Sequence, residues 1–168
     1  MGILEVLKNH KPIENPEFGQ RKKLIGDAVA QVQSLTRIES KKNASPWIIL
    51  RCEAINVIPD PKGRETTVLP GDEITKLYNA NDPESLEDMD NDLFTAGIEF
   101  NREVSTEEEL LFAMAEATKN KLIYFRTWAR DKNEEQLEKN PNPPYFQNII
   151  VKSKNLVTAE NSVPQLPF

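Results

Sequence analysis

The segment 121–131 (KLIYFRTWARD) carries the most chemically specific pattern in the chain. Read as an extended strand, it sends successive side chains to opposite faces, so Ile123, Phe125, Thr127 and Ala129 share one side and Tyr124, Arg126, Trp128 and Arg130 the other. The first set can fill a core. The second interleaves flat π surfaces with cations and runs on to Lys132, which suits unpaired bases stacked on rings and phosphates held by charge. Stacking of this kind contributes roughly 1–3 kcal/mol per base. The competing reading buries Tyr124 and Trp128 beneath helices and pairs the arginines with carboxylates.

A second, weaker face lies in 47–58 (WIILRCEAINVI), where Trp47, Ile49, Arg51 and Glu53 share one parity and are expected to adjoin the first platform. An aromatic at a strand start is also an ordinary core residue, so Trp47 has that alternative. Lys41, Lys42, Lys62 and Arg64 fall in polar loops, where phosphate contacts would lie if the loops flank a groove. Tyr145, at the entry to the last strand, is a comparable candidate; Lys152 and Lys154 take the opposite parity. The expected nucleic-acid-binding set is therefore Trp128, Tyr124, Arg126, Arg130, Trp47, Arg51, Lys41, Lys42, Lys132 and Tyr145.

These residues need a scaffold. Residues 27–38 (DAVAQVQSLTRI) are partly alternating and rich in β-branched side chains, and 47–58 form a stronger apolar strand, with the polar link 39–46 as hairpin loop. The run 59–64 (PDPKGR) marks a second turn, after which 66–78 predict a third strand bent near Pro70 and Gly71. The period then changes. Asp82 caps a helix with Pro83 at its first position, Leu86, Met89, Leu93 and Phe94 make its apolar stripe, and Gly97 ends it. Ser105 and Glu108 form a capping box for a second helix bearing Leu110, Leu111, Met114 and Ala117. Strand period returns in 121–131 and 145–153, separated by a long polar loop.

The order β-β-β-α-α-β-β predicts an α+β, mainly β fold: a five-stranded OB-type barrel with two helices between strands three and four, whose ligands lie over strands two and three and the flanking loops. Residues 1–23 are expected to be a mobile N-terminal segment, 24–154 the barrel domain, and 155–168 a C-terminal tail.

Composition limits the remaining chemistry. With 168 residues and 38% apolar content, one domain with substantial loops is expected. No apolar run approaches the roughly 20 residues that span a bilayer, and Glu5 and Lys8 break the apolar start that a cleavable signal needs. A soluble, cytoplasmic protein is expected, in the host cytoplasm if viral. One cysteine, Cys52, and one histidine, His10, make neither an internal disulfide nor a zinc site. Asp88, Asp90, Asp92 and Glu99 imitate the spacing of a calcium loop, but Leu93 stands where that loop needs glycine. No phosphate-cradling glycine loop or nucleophile elbow occurs, so no catalytic residue, metal or cofactor is assigned and no enzyme is expected. The net charge of −6 weighs against a polyanionic partner only as a sum, because binding depends on where cations cluster.

Taken together, WIILRCEAINVI, TKLYNANDPESLEDMDNDLFTAG, KLIYFRTWARDKN and PYFQNIIV resemble phage-type single-stranded-DNA-binding proteins with an OB fold, over roughly residues 27–154. The resemblance implies single-stranded DNA as partner and a role in DNA replication or recombination. It carries onto the aromatic and basic positions of strands two and four and their loops. The ending 163–168 (VPQLPF) resembles the tip with which bacterial single-stranded-DNA-binding proteins recruit partner enzymes, which implies partner binding by Pro167 and Phe168. It departs from that pattern in its lead-in, where only Glu160 is acidic, and the alternative is a tail packed on its own domain. A reading from another class also stands: a structural or assembly protein that uses the barrel for protein contacts.

Overall fold

The computed structural model describes residues 22–39 and 46–165. Two long strands come first, β1 (Gly26–Glu39) and β2 (Pro46–Ile58), both rich in aliphatic and β-branched residues that fit a half-buried pleat. They pair antiparallel, with register shifts between Val29 and Ala30 and between Val32 and Ser34. Each shift is a bulge that changes which parity faces inward. The inward set accordingly runs Ala28, Ala30, Val32 and then Leu35 on β1, and Ile48, Leu50, Cys52, Ala54 and then Val57 on β2.

The third strand, β3 (Glu73–Asn79), is shorter than the sequence predicts. Pro70 has no donor for a ladder and Gly71 takes a left-handed φ of 93°, so the chain turns there. Its amide still donates to Ala54 O at 2.7 Å, which holds the turn on β2. Helix α1 (Pro83–Thr95) starts as expected, with the Asp82 carboxylate accepting from Glu84 N. Its end is a Schellman turn, in which Gly97 N donates to Phe94 O and Ile98 N to Leu93 O. Met89 and Leu93 are buried, whereas Phe94, one helical position beyond Leu93, is 80% exposed. Helix α2 (Glu107–Thr118) is capped by Thr106 rather than Ser105; the Thr106 hydroxyl accepts from Glu109 N, and Ser105 N donates to the Glu109 carboxylate.

Strand β4 (Leu122–Asp131) and β5 (Tyr145–Val151) complete the sheet. Between them a short helix, α3 (Glu134–Lys139), occupies what the sequence predicts as loop, started by a capping box of Asn133 and Gln136. Among the described residues the fold is thus mainly β: five strands in one antiparallel sheet of order β3-β2-β1-β4-β5, with three α-helices. β3 and β5 are its two edges, so the described strands do not pair into a closed barrel. Residues 22–25 are tied to both sides. Thr67 N donates to Ile25 O and its hydroxyl bonds Lys23 O and Ile25 N, while the Gln147 amide bonds both Leu24 N and Leu24 O.

The core joins both halves of the sheet to the helices through Leu50, Ile74, Ile123, Phe125, Leu93 and Met114. Among the described residues no helix is long and apolar enough to cross a membrane.

Candidate nucleic-acid interface

Strand β4 divides its side chains as its alternation predicts, except at Tyr124. Ile123, Phe125 and Thr127 are buried, and Arg126, Trp128 and Arg130 face solvent on the opposite side, with Trp128 40% exposed. β5 extends that outer face. Its register sets Ile150 beside Arg126, Asn148 beside Trp128 and Phe146 beside Arg130, and all three β5 residues are exposed. The Arg130 guanidinium lies 5.2 Å and the Lys132 ammonium 5.1 Å from the Phe146 ring centroid, within the range of cation–π attraction. Lys132 also donates to Asn140 O at 2.9 Å, so the connection that carries α3 folds back onto this cation. The β4–β5 ribbon therefore displays two aromatic rings and three cations on one face.

Arg126 is held from below. Its Nε and Nη2 donate to the two Asp27 oxygens, each at 3.1 Å, and Asp27 also accepts from the Tyr124 hydroxyl at 2.7 Å. Tyr124 is buried, and desolvation first, then the hydrogen bond to Asp27, pushes its pKa up to about 12. Its ring thus fixes the base of the face and is not an open stacking surface. Tyr145 is buried as well; it pairs with Asp131 in register and has Lys23 Nζ 5.8 Å from its ring. In β5 the outward aromatic is not Tyr145 but its neighbour Phe146. The signal was present: Ile149 and Val151 share Tyr145's parity and pack inward, which sends Phe146, Asn148 and Ile150 outward.

The β2 face does not join this platform. Trp47 pairs with Ile38 at one end of β1, and Arg126 pairs with Asp27 near the other, eleven residues or about 36 Å of strand contour away. Trp47 is half-buried, and Arg51 lies 3.7 Å from a Glu73 oxygen, with Glu53 paired opposite Glu73. That region is acidic rather than basic. Arg64 is committed to Asp60 at 2.7 Å. Lys41, Lys42, Pro167 and Phe168 lie outside the described residues. The tail that leads to Pro167 is anchored on β2: Gln165 N donates to Ile55 O, Val57 N donates to the Gln165 side chain, and Asn56 Nδ2 donates to Val163 O.

Two of the four carboxylates that mimic a calcium loop have other partners. Asp90 bonds Arg102, and Asp92 accepts from Lys76 and from Tyr78. Burial and the neighbouring Asp92 raise the Tyr78 pKa, which keeps its hydroxyl a donor. No protein-family model matches the chain, and no curated protein matches it.

Proposed function

We propose that this chain binds single-stranded DNA on the outer face of β4 and β5, serves DNA replication or recombination, and does so without catalysis. The observation that carries this reading is the pairing of exposed Trp128 and Phe146 with Arg126, Arg130 and Lys132 on one face. Rings stack on bases only when the bases are unpaired, and the interleaved cations compensate phosphate charge. A resemblance to phage-type single-stranded-DNA-binding proteins supports the same reading. So does the topology: a sheet of order β3-β2-β1-β4-β5 with helices between β3 and β4, and with residues 22–25 bonded both to Thr67 ahead of β3 and to Gln147 of β5, is compatible with a partly open OB-type barrel. In this reading the tip at Pro167 and Phe168 recruits replication or recombination proteins.

The test is a titration of labelled single-stranded and duplex oligonucleotides of equal length at two salt concentrations. Preference for the single strand and steep weakening with salt are expected, because phosphate contacts release counterions. Equal affinity for both forms, or affinity indifferent to salt, overturns the reading. A second reading, a structural or assembly protein, is favoured by Phe94 at 80% and Phe112 at 68% exposure on the helices. Apolar self-association would weaken little with salt, so the same titration, read with sedimentation, separates the two.

A further inference from the structure

Asn148 is an unusual residue for the middle of a strand, because asparagine is depleted in sheets and its amide gains nothing from an exposed pleat. It stands directly across from Trp128, where paired side chains approach to about 5 Å between Cβ atoms. On its own strand it is flanked by Phe146 and Ile150, each diagonal to Trp128 at about 7–8 Å. Trp128, Phe146 and Ile150 are 40%, 38% and 40% exposed, and among the described residues no hydrogen bond engages the Asn148 amide. An unbonded donor and acceptor thus lie beside two partly exposed rings, with Arg126 and Arg130 on the neighbouring strand.

We propose that Trp128, Phe146 and Asn148 form a subsite for two consecutive unpaired bases, in which the rings stack on the bases and the Asn148 amide bonds a Watson–Crick edge. The proposal rests on the single-strand reading above and adds to it a residue that contacts base edges. Arg130 and Lys132, over Phe146, supply the charge that meets the phosphate joining the two bases. An amide presents a donor beside an acceptor, and each of the four bases offers an acceptor beside a donor on that edge. Asn148 therefore makes binding depend on a base being present while tolerating which base it is. A carboxylate at this position has acceptors only. It suits guanine, whose N1–H and N2–H donors are adjacent, and it is repelled by the carbonyls that flank the thymine N3–H.

The experiment measures affinity for three labelled oligonucleotides of equal length: all thymidine, alternating thymidine and guanosine, and a strand of abasic sites. Wild-type protein should favour both base-bearing strands over the abasic one, with thymidine and mixed strands within a few-fold of each other. Asn148→Ala should lose about fivefold or more on the base-bearing strands and nothing on the abasic strand. Asn148→Asp should raise the ratio of mixed-strand to thymidine-strand affinity by about tenfold, the scale of one good base-edge contact. That ratio cancels the general loss caused by the added negative charge. If wild-type protein binds single strands and both variants keep its base dependence unchanged, the subsite is overturned and the single-strand reading stands. If wild-type protein binds none of the strands, both fall.

Discussion

Trp128 and Phe125 are three residues apart on β4 and face opposite ways, so they separate binding from stability. Trp128→Ala should weaken single-strand binding by roughly 1–3 kcal/mol through lost stacking, with the fold retained and a smaller loss of melting temperature than Phe125→Ala, because the residue is 40% exposed. Phe125→Ala should cost about 3–5 kcal/mol of stability through a core cavity and lower binding only as folded protein disappears. Thermal melts run beside the titrations decide this, and an unfolded Trp128→Ala would show that its ring carries the fold instead. Tyr124 gives a prediction in pH. Its folded pKa, near 12, is above the ordinary tyrosine value of about 10, so the folded state holds that proton more tightly. The associated stability is fully present below pH ~10 and is lost as pH rises toward the folded value. Tyr78, raised in the same sense, adds to that loss. Denaturant midpoints taken from pH 9 to 12 should therefore fall less steeply in Tyr124→Phe than in the wild-type chain.

Among the elements, the cap of α1 offers the sharpest check. Gly97 has a φ of 76°, and a Cβ there would meet Lys154 Cδ at 2.5 Å, so Gly97→Ala incurs both left-handed strain and a shift of the lysine stem. A loss of about 1 kcal/mol or more in denaturant melts is expected, and an unchanged midpoint would show that the turn relaxes freely. This cap was legible in the sequence, as were Asp82, Pro83 and the two faces of β4 apart from the buried Tyr124, because each rests on local chemistry within a few residues. The end of the third strand and the orientation of β5 were less legible. Gly71 and Pro70 pointed to a bend but not to the loss of pairing before it, which depends on where Thr67 finds Ile25. The choice of Tyr145 over Phe146 followed position at the strand entry, whereas the inward packing of Ile149 and Val151 decides the face. The incomplete alternation of β1 came from the bulge near Gln33, which no short-range pattern announces. The separation of Trp47 from Trp128 was out of reach for a similar reason, since it depends on the offset with which β2 and β4 flank β1.

Across the whole molecule, charge is divided by element. Helices α1 and α2 carry Glu84, Glu87, Asp88, Asp90, Asp92, Glu107, Glu108, Glu109 and Glu116 without one lysine or arginine, so the net charge of −6 says little about the β4–β5 face. Arg130→Ala should flatten the dependence of log affinity on log salt by about 0.7 if it neutralises one phosphate of a single strand, and Arg126→Ala, whose guanidinium is already paired with Asp27, by less. Reversing two α1 carboxylates should move that slope far less, and slopes that respond equally to both changes would place the contact elsewhere. The tether at residues 22–25 has a consequence in time. A chain made from its N-terminus exposes Lys23 to Ile25 early, yet the partner on one side, Thr67, comes 44 residues after Lys23 and that on the other, Gln147, 123 after Leu24. The first segment of the domain to be synthesised is thus among the last to be secured. Nascent chains halted before β5 emerges should show rapid amide exchange at Leu24, and the full-length chain should show slow exchange there.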